Sequence, residues 1–479
     1  MVDVFGSLPE TRAEPDAIAR VRDWHQRANH RTAVLDDDPT GSQSVHDVTV
    51  VTVPDRREYD AALNYPGATC FILTNTRSLP EVAAARLAKA AARDLFGLAR
   101  ERGFGVEIVS RSDSTLRGHV MAEVQAIDAA RVETTGGPYD AVLFAPAFLE
   151  AGRVTANDVH WARVGRDLVP VGETEFARDA SFGYQASNLK EFLAEKSGGR
   201  LKVDDVHSVS LEDIRVGGPQ RVAAVLQEVP AGSFVVINAV EYSDLETVAL
   251  GVTRARDEGR SFLYRTGPSF VRALVGLGPR DPLSVADIWP DGCPGGHGLV
   301  VVGSHVGLTG RQVAFALSGG GLRGIELDVP KVIAPGERDD YVAATGDRVA
   351  AELAESTVLL STSRDLVRGT DAASSLQVAR DVSAAVVDVV RAAIRRTGLK
   401  SSPTWVIAKG GITSHDVATR ALGIRRAEVL GQLFPGTVSV FRPLEAAPEA
   451  MGVPYVVFAG NVGNEETLAR AISIMSGDA

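Results

Sequence analysis

Polar clusters along this 479-residue chain follow short apolar runs, and their residue types divide into two kinds of chemistry. Thr32–Leu35 leads into DDDPTGSQ (Asp36 to Gln43), Thr69–Leu73 into TNTRS (Thr74 to Ser78), and Val106–Val109 into SRSDSTLRGH (Ser110 to His119). Carboxylates and arginines dominate these three. Further on, Leu299–Val302 leads into GSHVGLTGRQ (Gly303 to Gln312), Trp405–Ala408 into KGGITSHD (Lys409 to Asp416), and Tyr455–Phe458 into AGNVGNEE (Ala459 to Glu466). Glycines and hydroxyls dominate there.

Asp36, Asp37 and Asp38 repel one another unless a cation or donor balances them. They suit a general base or a Mg²⁺ ligand; the plainer alternative is a turn opener, since Asp and Pro favour turns and Gly41 bends easily. In SRSDSTLRGH, Asp113, Ser114 or Thr115 could cap a helix starting at Leu116. Arg111 and Arg117 flank that cap, and Arg77 stands at the neighbouring run-end. Guanidinium forks beside a helix N-terminus suit a carboxylate or a phosphate, which points to a small acidic substrate.

Lys409-Gly410-Gly411-Ile412-Thr413-Ser414 lies between an expected strand and an expected helix, where backbone N–H groups can approach phosphates without obstruction by Cβ. The Gly303-Ser304 and Gly460-Asn461-Val462-Gly463 turns repeat the arrangement. A plain strand-to-helix connection is the alternative at each.

Some signatures are missing. No lysine directly follows a glycine, so GxxxxGK[ST] is absent, as are HExxH and GxSxG. Gly319, Gly321 and Gly324 spell GxGxxG, but after the helix-like RQVAFALS and before a strand, the reverse of a dinucleotide fingerprint; a helix C-cap is the better reading. His46, His119, His160, His305 and His415 read as structural or solvent-facing.

Such clusters meet only if the run-ends share a sheet edge, and the chain is patterned accordingly. Short β-branched runs alternate with Ala/Leu/Arg-rich stretches of helical period, including Leu79–Arg102, Leu116–Ala130, Tyr242–Glu258, Ser374–Thr397 and Ser414–Leu422. The fold class is α/β: two domains, each a largely parallel sheet flanked by helices. In open sheets of this kind ligands bind beyond the carboxyl ends of the strands. The Gly/Pro-dense stretch after Arg265 suggests residues 1–287 as an N-terminal domain, 288–298 as linker and 299–479 as a C-terminal domain. Gly152–Ser181 has no clear period and reads as a long loop or subdomain edge.

Composition bounds the rest. Apolar residues make up 45% and charged residues 23%, ordinary for a chain that buries a large core. A net charge of −11 argues against nucleic acid as a partner. Cys70 and Cys293 form no CxxC pair, which fits a reducing cytoplasm. No apolar run approaches the ~20 residues of a membrane span, and the opening MVDVFGSLPE lacks the form of an export signal. Whether the chain forms a homo-oligomer is left open.

Taken together, DDDPTG at 36 to 41, DSTLRG at 113 to 118, VVGSH at 301 to 305, KGGITS at 409 to 414 and AGNVG at 459 to 463 resemble the four-carbon acid sugar kinase family, in matching order over nearly the whole chain. The resemblance implies an N-terminal sugar-acid-binding domain and a C-terminal nucleotide-binding domain for ATP, with the active site in the inter-domain cleft and Mg²⁺ as cofactor. Asp37 and Asp38 would match the family's paired acids, either of them accepting the proton of the attacking hydroxyl, with Asp38 the first choice for base and Asp37 then aiding Mg²⁺ or binding the substrate hydroxyls. Arg77, Arg111, Asp113, Ser114 and Arg117 would bind substrate, the three arginines sharing its carboxylate. Ser304, Gly410, Gly411, Ile412, Thr413, Gly460 and Asn461 would hold ATP. The family phosphorylates four-carbon or branched five-carbon sugar acids and oxo acids. Departures are Arg111 where lysine is common, Ile412 where Glu is frequent, and the extra acid Asp36. An NAD-dependent hydroxy-acid dehydrogenase and a non-catalytic sugar-acid sensor are the alternatives.

Overall fold

A computed structural model describes residues 5–38, 40–42, 44–334, 336–363, 372–401 and 403–478. Pro39 and Gln43 of the first polar cluster lie outside the described residues. The chain divides into two compact units, Met1–Pro279 and Arg280–Ala479.

The first unit contains β1 (His30–Asp36), β2 (Val48–Val51), β3 (Thr69–Leu73), β4 (Gly105–Arg111), β5 (Ala141–Ala145), β6 (Arg153–Ala156), β7 (Val159–Val164), β8 (Asp167–Pro170), β9 (His207–Val209), β10 (Ser233–Ile237) and β11 (Phe262–Thr266). Its main sheet runs in the order β2-β3-β1-β4-β11-β5-β10-β9, and these neighbours pair in parallel. Every residue of β1, β3 and β5 is buried, as a sheet covered by helices on both faces requires. The helix Glu81–Arg102 shows why its sequence suits that task. Ala84, Ala88, Ala91, Ala92 and Leu95 form one buried stripe at helical spacing, and Gly103 ends the helix in the left-handed region at φ 71°.

The aperiodic stretch 152–181 is not a bare loop. It holds an antiparallel sheet, β6-β7-β8. The two residues joining β6 to β7, Asn157 and Asp158, have φ of 52° and 62°, a turn with both central residues left-handed, whose twist suits a hairpin. The strands are too short for their alternation to stand out. β11 escaped the sequence pattern for another reason: a fully buried arginine, Arg265, interrupts its apolar run.

The second unit contains β12 (Leu299–Val302), β13 (Leu322–Leu327), β14 (Thr357–Thr362), β15 (Val406–Lys409), β16 (Arg426–Phe434), β17 (Val438–Glu445) and β18 (Tyr455–Phe458). Its order is β13-β14-β12-β15-β18-β17-β16. It is parallel as far as β18, with β17 and β16 added antiparallel. Shifts of register within β16 obscure its period in the sequence. Gly319 caps the helix Gly307–Ser318, so the GxGxxG string is a helix end as expected. The architecture is α/β with largely parallel sheets flanked by helices. No helix of the described residues is long and apolar enough to cross a membrane.

Candidate active site

In the first unit the acid cluster stands at the carboxyl ends of β1 and its two sheet neighbours. Asp36 ends β1 and Arg111 ends β4, and the parallel register places them opposite each other. Arg111 Nη1 donates to Asp36 Oδ1 at 2.8 Å, and both side chains are buried. Burial pushes the Asp36 carboxyl up to about 7, against the pull of Arg111. Gly41 makes this close packing feasible: a Cβ there would lie 1.9 Å from Asp36 Oδ2.

Arg77, in the short turn Thr76–Ser78 after β3, donates to Asp37 Oδ1 at 3.1 Å and to Asp38 Oδ2 at 2.6 Å. Asp37 also accepts from Ser112 Oγ at 2.8 Å, and burial raises its pKa. Asp38 accepts from Thr40 N at 2.8 Å and Thr40 Oγ1 at 2.7 Å. Burial raises its pKa, but Arg77 and Arg111 outweigh burial and hold Asp38 below the usual carboxylate range. Its side chain is 30% exposed where that of Asp37 is 3% exposed, so Asp38 is the acid a ligand can reach.

The loop after β4 corrects the sequence reading. The next helix is Val120–Thr135, with His119 at its N-cap, so Asp113, Ser114 and Thr115 do not cap it. They form a separate turn, closed by Leu116 N to Asp113 O at 3.0 Å. Arg117 Nε donates to Asp113 Oδ2 at 2.6 Å. Although burial raises the Asp113 carboxyl, Arg77 and Arg117 draw it down to about 2. Gly118, at φ 122°, lets the loop pass close to Asp37 and Ser112; a Cβ would lie 3.0 Å from each.

The arginines expected to share a substrate carboxylate are therefore already engaged. Arg77 serves Asp37 and Asp38, Arg111 serves Asp36, and Arg117 serves Asp113. Residues absent from the sequence reading complete the network. Arg265 on β11 donates to Ser112 Oγ at 2.7 Å, to Ser110 Oγ at 2.7 Å and to Glu123. An arginine inside the apolar run FLYRT was the available signal, because a buried guanidinium demands a buried carboxylate.

In the second unit the three glycine turns come from adjacent strands, since β12, β15 and β18 are sheet neighbours. Gly410, at φ 121°, precedes a helix that starts at Gly411 rather than at Ser414. Gly411, Ile412 and Thr413 thus form the first turn of that helix, where backbone N–H groups lack helical partners. The turns pack tightly: a Cβ at Gly303 would lie 2.3 Å from Thr413 Oγ1, and one at Gly460 would lie 2.5 Å from Ser304 Oγ. Thr309 Oγ1 ties two of them together, donating to Gly460 O at 2.8 Å. Ile412 and Asn461 are exposed.

Lys409, absent from the expected site residues, is fully buried, its Nζ 3.1 Å from Ala459 O and 3.7 Å from the centre of the Phe458 ring. Burial pushes its pKa down to about 7. Beside Gly303, Ile412 and Thr413 lies a cavity of about 460 Å³, lined chiefly by Val329, Val378, Val382, Val386 and Val417, with Ser383 donating to Asp416 and with His305 and Thr362 also on its wall.

Among the described residues, the group of side chains close enough to share a metal ion is His25, His30 and Glu107. Arg256 closes that trio, donating to Glu107 Oε2 at 2.5 Å with Nη2 2.5 Å from His30 Nε2.

Residues 32–274 match the family model of a sugar-binding N-terminal domain, and residues 299–468 that of a nucleotide-binding C-terminal domain. No curated protein matches the chain. Among solved structures, a Haemophilus influenzae protein of the DUF1537 family is 19% identical, with a TM-score of 0.63, covering 92% of this chain and 99% of its own. A Salmonella typhimurium LT2 protein, provisionally described as a tRNA synthase, is also 19% identical, with a TM-score of 0.64, covering 92% and 98%. At that identity the two likenesses speak for the fold alone. The family models extend over most of the chain, in the order that its motifs implied, and the chain belongs to the four-carbon acid sugar kinase family.

Proposed function

We propose that this protein is an ATP-dependent kinase that phosphorylates a hydroxyl of a small sugar acid, a four-carbon or branched five-carbon acid or its oxo derivative. The observation that carries the reading is one chain joining a sugar-binding domain, with an acid and arginine network at its strand ends, to a nucleotide-binding domain with three adjacent glycine turns.

On this reading the ATP phosphates lie on the Gly410–Thr413 turn, with Ser304, Gly460 and Asn461 beside them. The base occupies the apolar cavity, whose volume falls in the roughly 300 to 1,000 Å³ range of small-molecule sites. Asp38 accepts the proton of the attacking hydroxyl as that oxygen bonds to the γ-phosphorus and ADP departs. Its depressed pKa keeps it ionised at neutral pH, and its exposure makes it reachable. Arg77 and Thr40 hold it in place. Phosphoryl transfer depends chiefly on positioning and charge stabilisation, so a weakly basic but well-held carboxylate suffices.

The acid cluster does not fit a dedicated Mg²⁺ site. Arg111, Arg77 and the Thr40 and Ser112 hydroxyls already take up its carboxylates. Any Mg²⁺ would come with the nucleotide.

A coupled assay of ADP release over a panel of four- and five-carbon sugar acids tests the proposal. Release that requires one of the acids is the expected result. Reduction of NAD by the same acids without ADP release would replace the kinase with a dehydrogenase.

A further inference from the structure

With Arg77, Arg111 and Arg117 committed to the protein's own carboxylates, a substrate carboxylate needs another cation. We propose that Arg153 reads it, an inference that rests on the sugar-acid kinase reading above. Arg153 opens β6, in the small antiparallel sheet of the first unit. Five arginines gather around the loop after β4, and four have a carboxylate partner: Arg77, Arg111, Arg117 and Arg265. Arg153 has no ion pair among the described residues.

Its position is nevertheless fixed. Nη1 donates to Ser114 Oγ at 3.1 Å, and the guanidinium lies 5.6 Å from the centre of the Phe176 ring and 5.9 Å from that of Phe148. Arg117 faces the same Phe176 ring at 5.2 Å. Two guanidinium groups thus share one aromatic ring, and of these two Asp113 accepts a hydrogen bond from Arg117. Burial disfavours the charge on Arg153 and outweighs the attraction of Asp113, and Arg117 adds repulsion. An anion placed against Arg153 and Ser114 relieves both, because a fork with most of its five N–H donors unspent binds a carboxylate through two oxygens.

The surrounding contacts hold this loop in place. His160 Nε2 lies 2.8 Å from Ser114 O, and Tyr184 OH donates to Thr115 O at 2.7 Å. The β6-β7-β8 insertion is on this view the part of the fold that brings a carboxylate-reading cation to the substrate loop.

The test uses the full chain without nucleotide, titrating D-erythronate and L-threonate by calorimetry into wild type, Arg153→Gln and Arg153→Lys. For whichever acid wild type binds, Arg153→Gln should weaken binding by roughly tenfold to a hundredfold. ATP affinity and melting midpoint should stay the same. Arg153→Lys should recover part of the loss, since it restores charge without the planar fork. Acid affinity within twofold of wild type in Arg153→Gln would overturn the inference and leave the kinase reading standing. So would a loss that Lys does not relieve and that comes with a lower melting midpoint, which marks a structural role. Wild type that neither binds nor turns over any acid would overturn both.

Discussion

Gly41→Ala should unfold the acid cluster without touching any charge. Gly41 is not held in the left-handed region, so alanine brings no backbone strain, and the effect is steric. The new Cβ would lie 1.9 Å from Asp36 Oδ2, 2.3 Å from Asp36 Oδ1 and 2.3 Å from Arg111 Nη1. Neither side chain can swing aside, because Asp36 is 0% and Arg111 4% exposed. Asp36 must then give up its 2.8 Å bond from Arg111 and its 3.0 Å bond from Asp38 N. Breaking a buried ion pair costs about 3 to 5 kcal/mol, which for a unit of this size lowers the melting midpoint by roughly 6 to 20 °C. Differential scanning calorimetry of the full chain measures it, with Gly137→Ala as control, since a Cβ there meets nothing within 4 Å. If both variants melt together with wild type, the Asp36–Arg111 pair is not the tightly enclosed element described above.

Other outcomes follow from the two units separately. Asp38→Asn should lower kcat by at least ~10² with little change in either KM, because the lost proton acceptor acts in the transition state; near-full kcat in steady-state assays would move the base to Asp37 or Asp113. At Gly411 a Cβ meets nothing within 4 Å, so Gly411→Val should fold normally. It should also weaken ATP binding by roughly tenfold to a hundredfold, the worth of a charge-assisted hydrogen bond, and unchanged affinity by calorimetry would remove that turn from the nucleotide site. Lys409 has a folded-state pKa lowered to about 7, so from there to about pH 10 the unfolded chain binds more protons than the folded one, and stability rises with pH. The melting midpoint of wild type relative to Lys409→Met should therefore climb across that window; a flat difference would mean that the lysine is not desolvated in the fold.

The strand ends were legible because a parallel strand buried on both faces has to be apolar, and the polar residues that follow it stand out. β3, β12 and β18 have the bounds their apolar runs suggested, Thr69–Leu73, Leu299–Val302 and Tyr455–Phe458. The partners of those polar residues were not legible. Nothing in DDDPTG says that Asp36 faces Arg111, because that pairing comes from the register of β1 against β4, a property of two distant segments. Arg153 was hidden in a stretch with no visible period, and Arg265 in β11, whose apolar run it interrupts. The start of the helix at Val120 was missed because Leu116 adopts φ 67°, a left-handed turn that a β-strand-to-helix reading does not anticipate for a leucine.

Exposure grades the three consecutive acids, and the grading separates stability from activity. Asp36 has no contact with solvent and is locked to a buried arginine. Asp37 is nearly as deep and is shared between Arg77 and Ser112. Asp38 alone of the three reaches the surface, while Arg77 and Thr40 fix both of its oxygens. Removing a buried partner leaves an uncompensated charge behind, whereas replacing an exposed carboxylate by its amide leaves little. Substitution should therefore cost stability most at Asp36 and least at Asp38, with the loss of turnover in the reverse order among variants that remain folded. A family of Asp→Asn variants ranked by melting midpoint and by kcat gives both orders at once. If the two rankings run in parallel, the cluster acts as a single structural unit and the reactive carboxylate lies outside it.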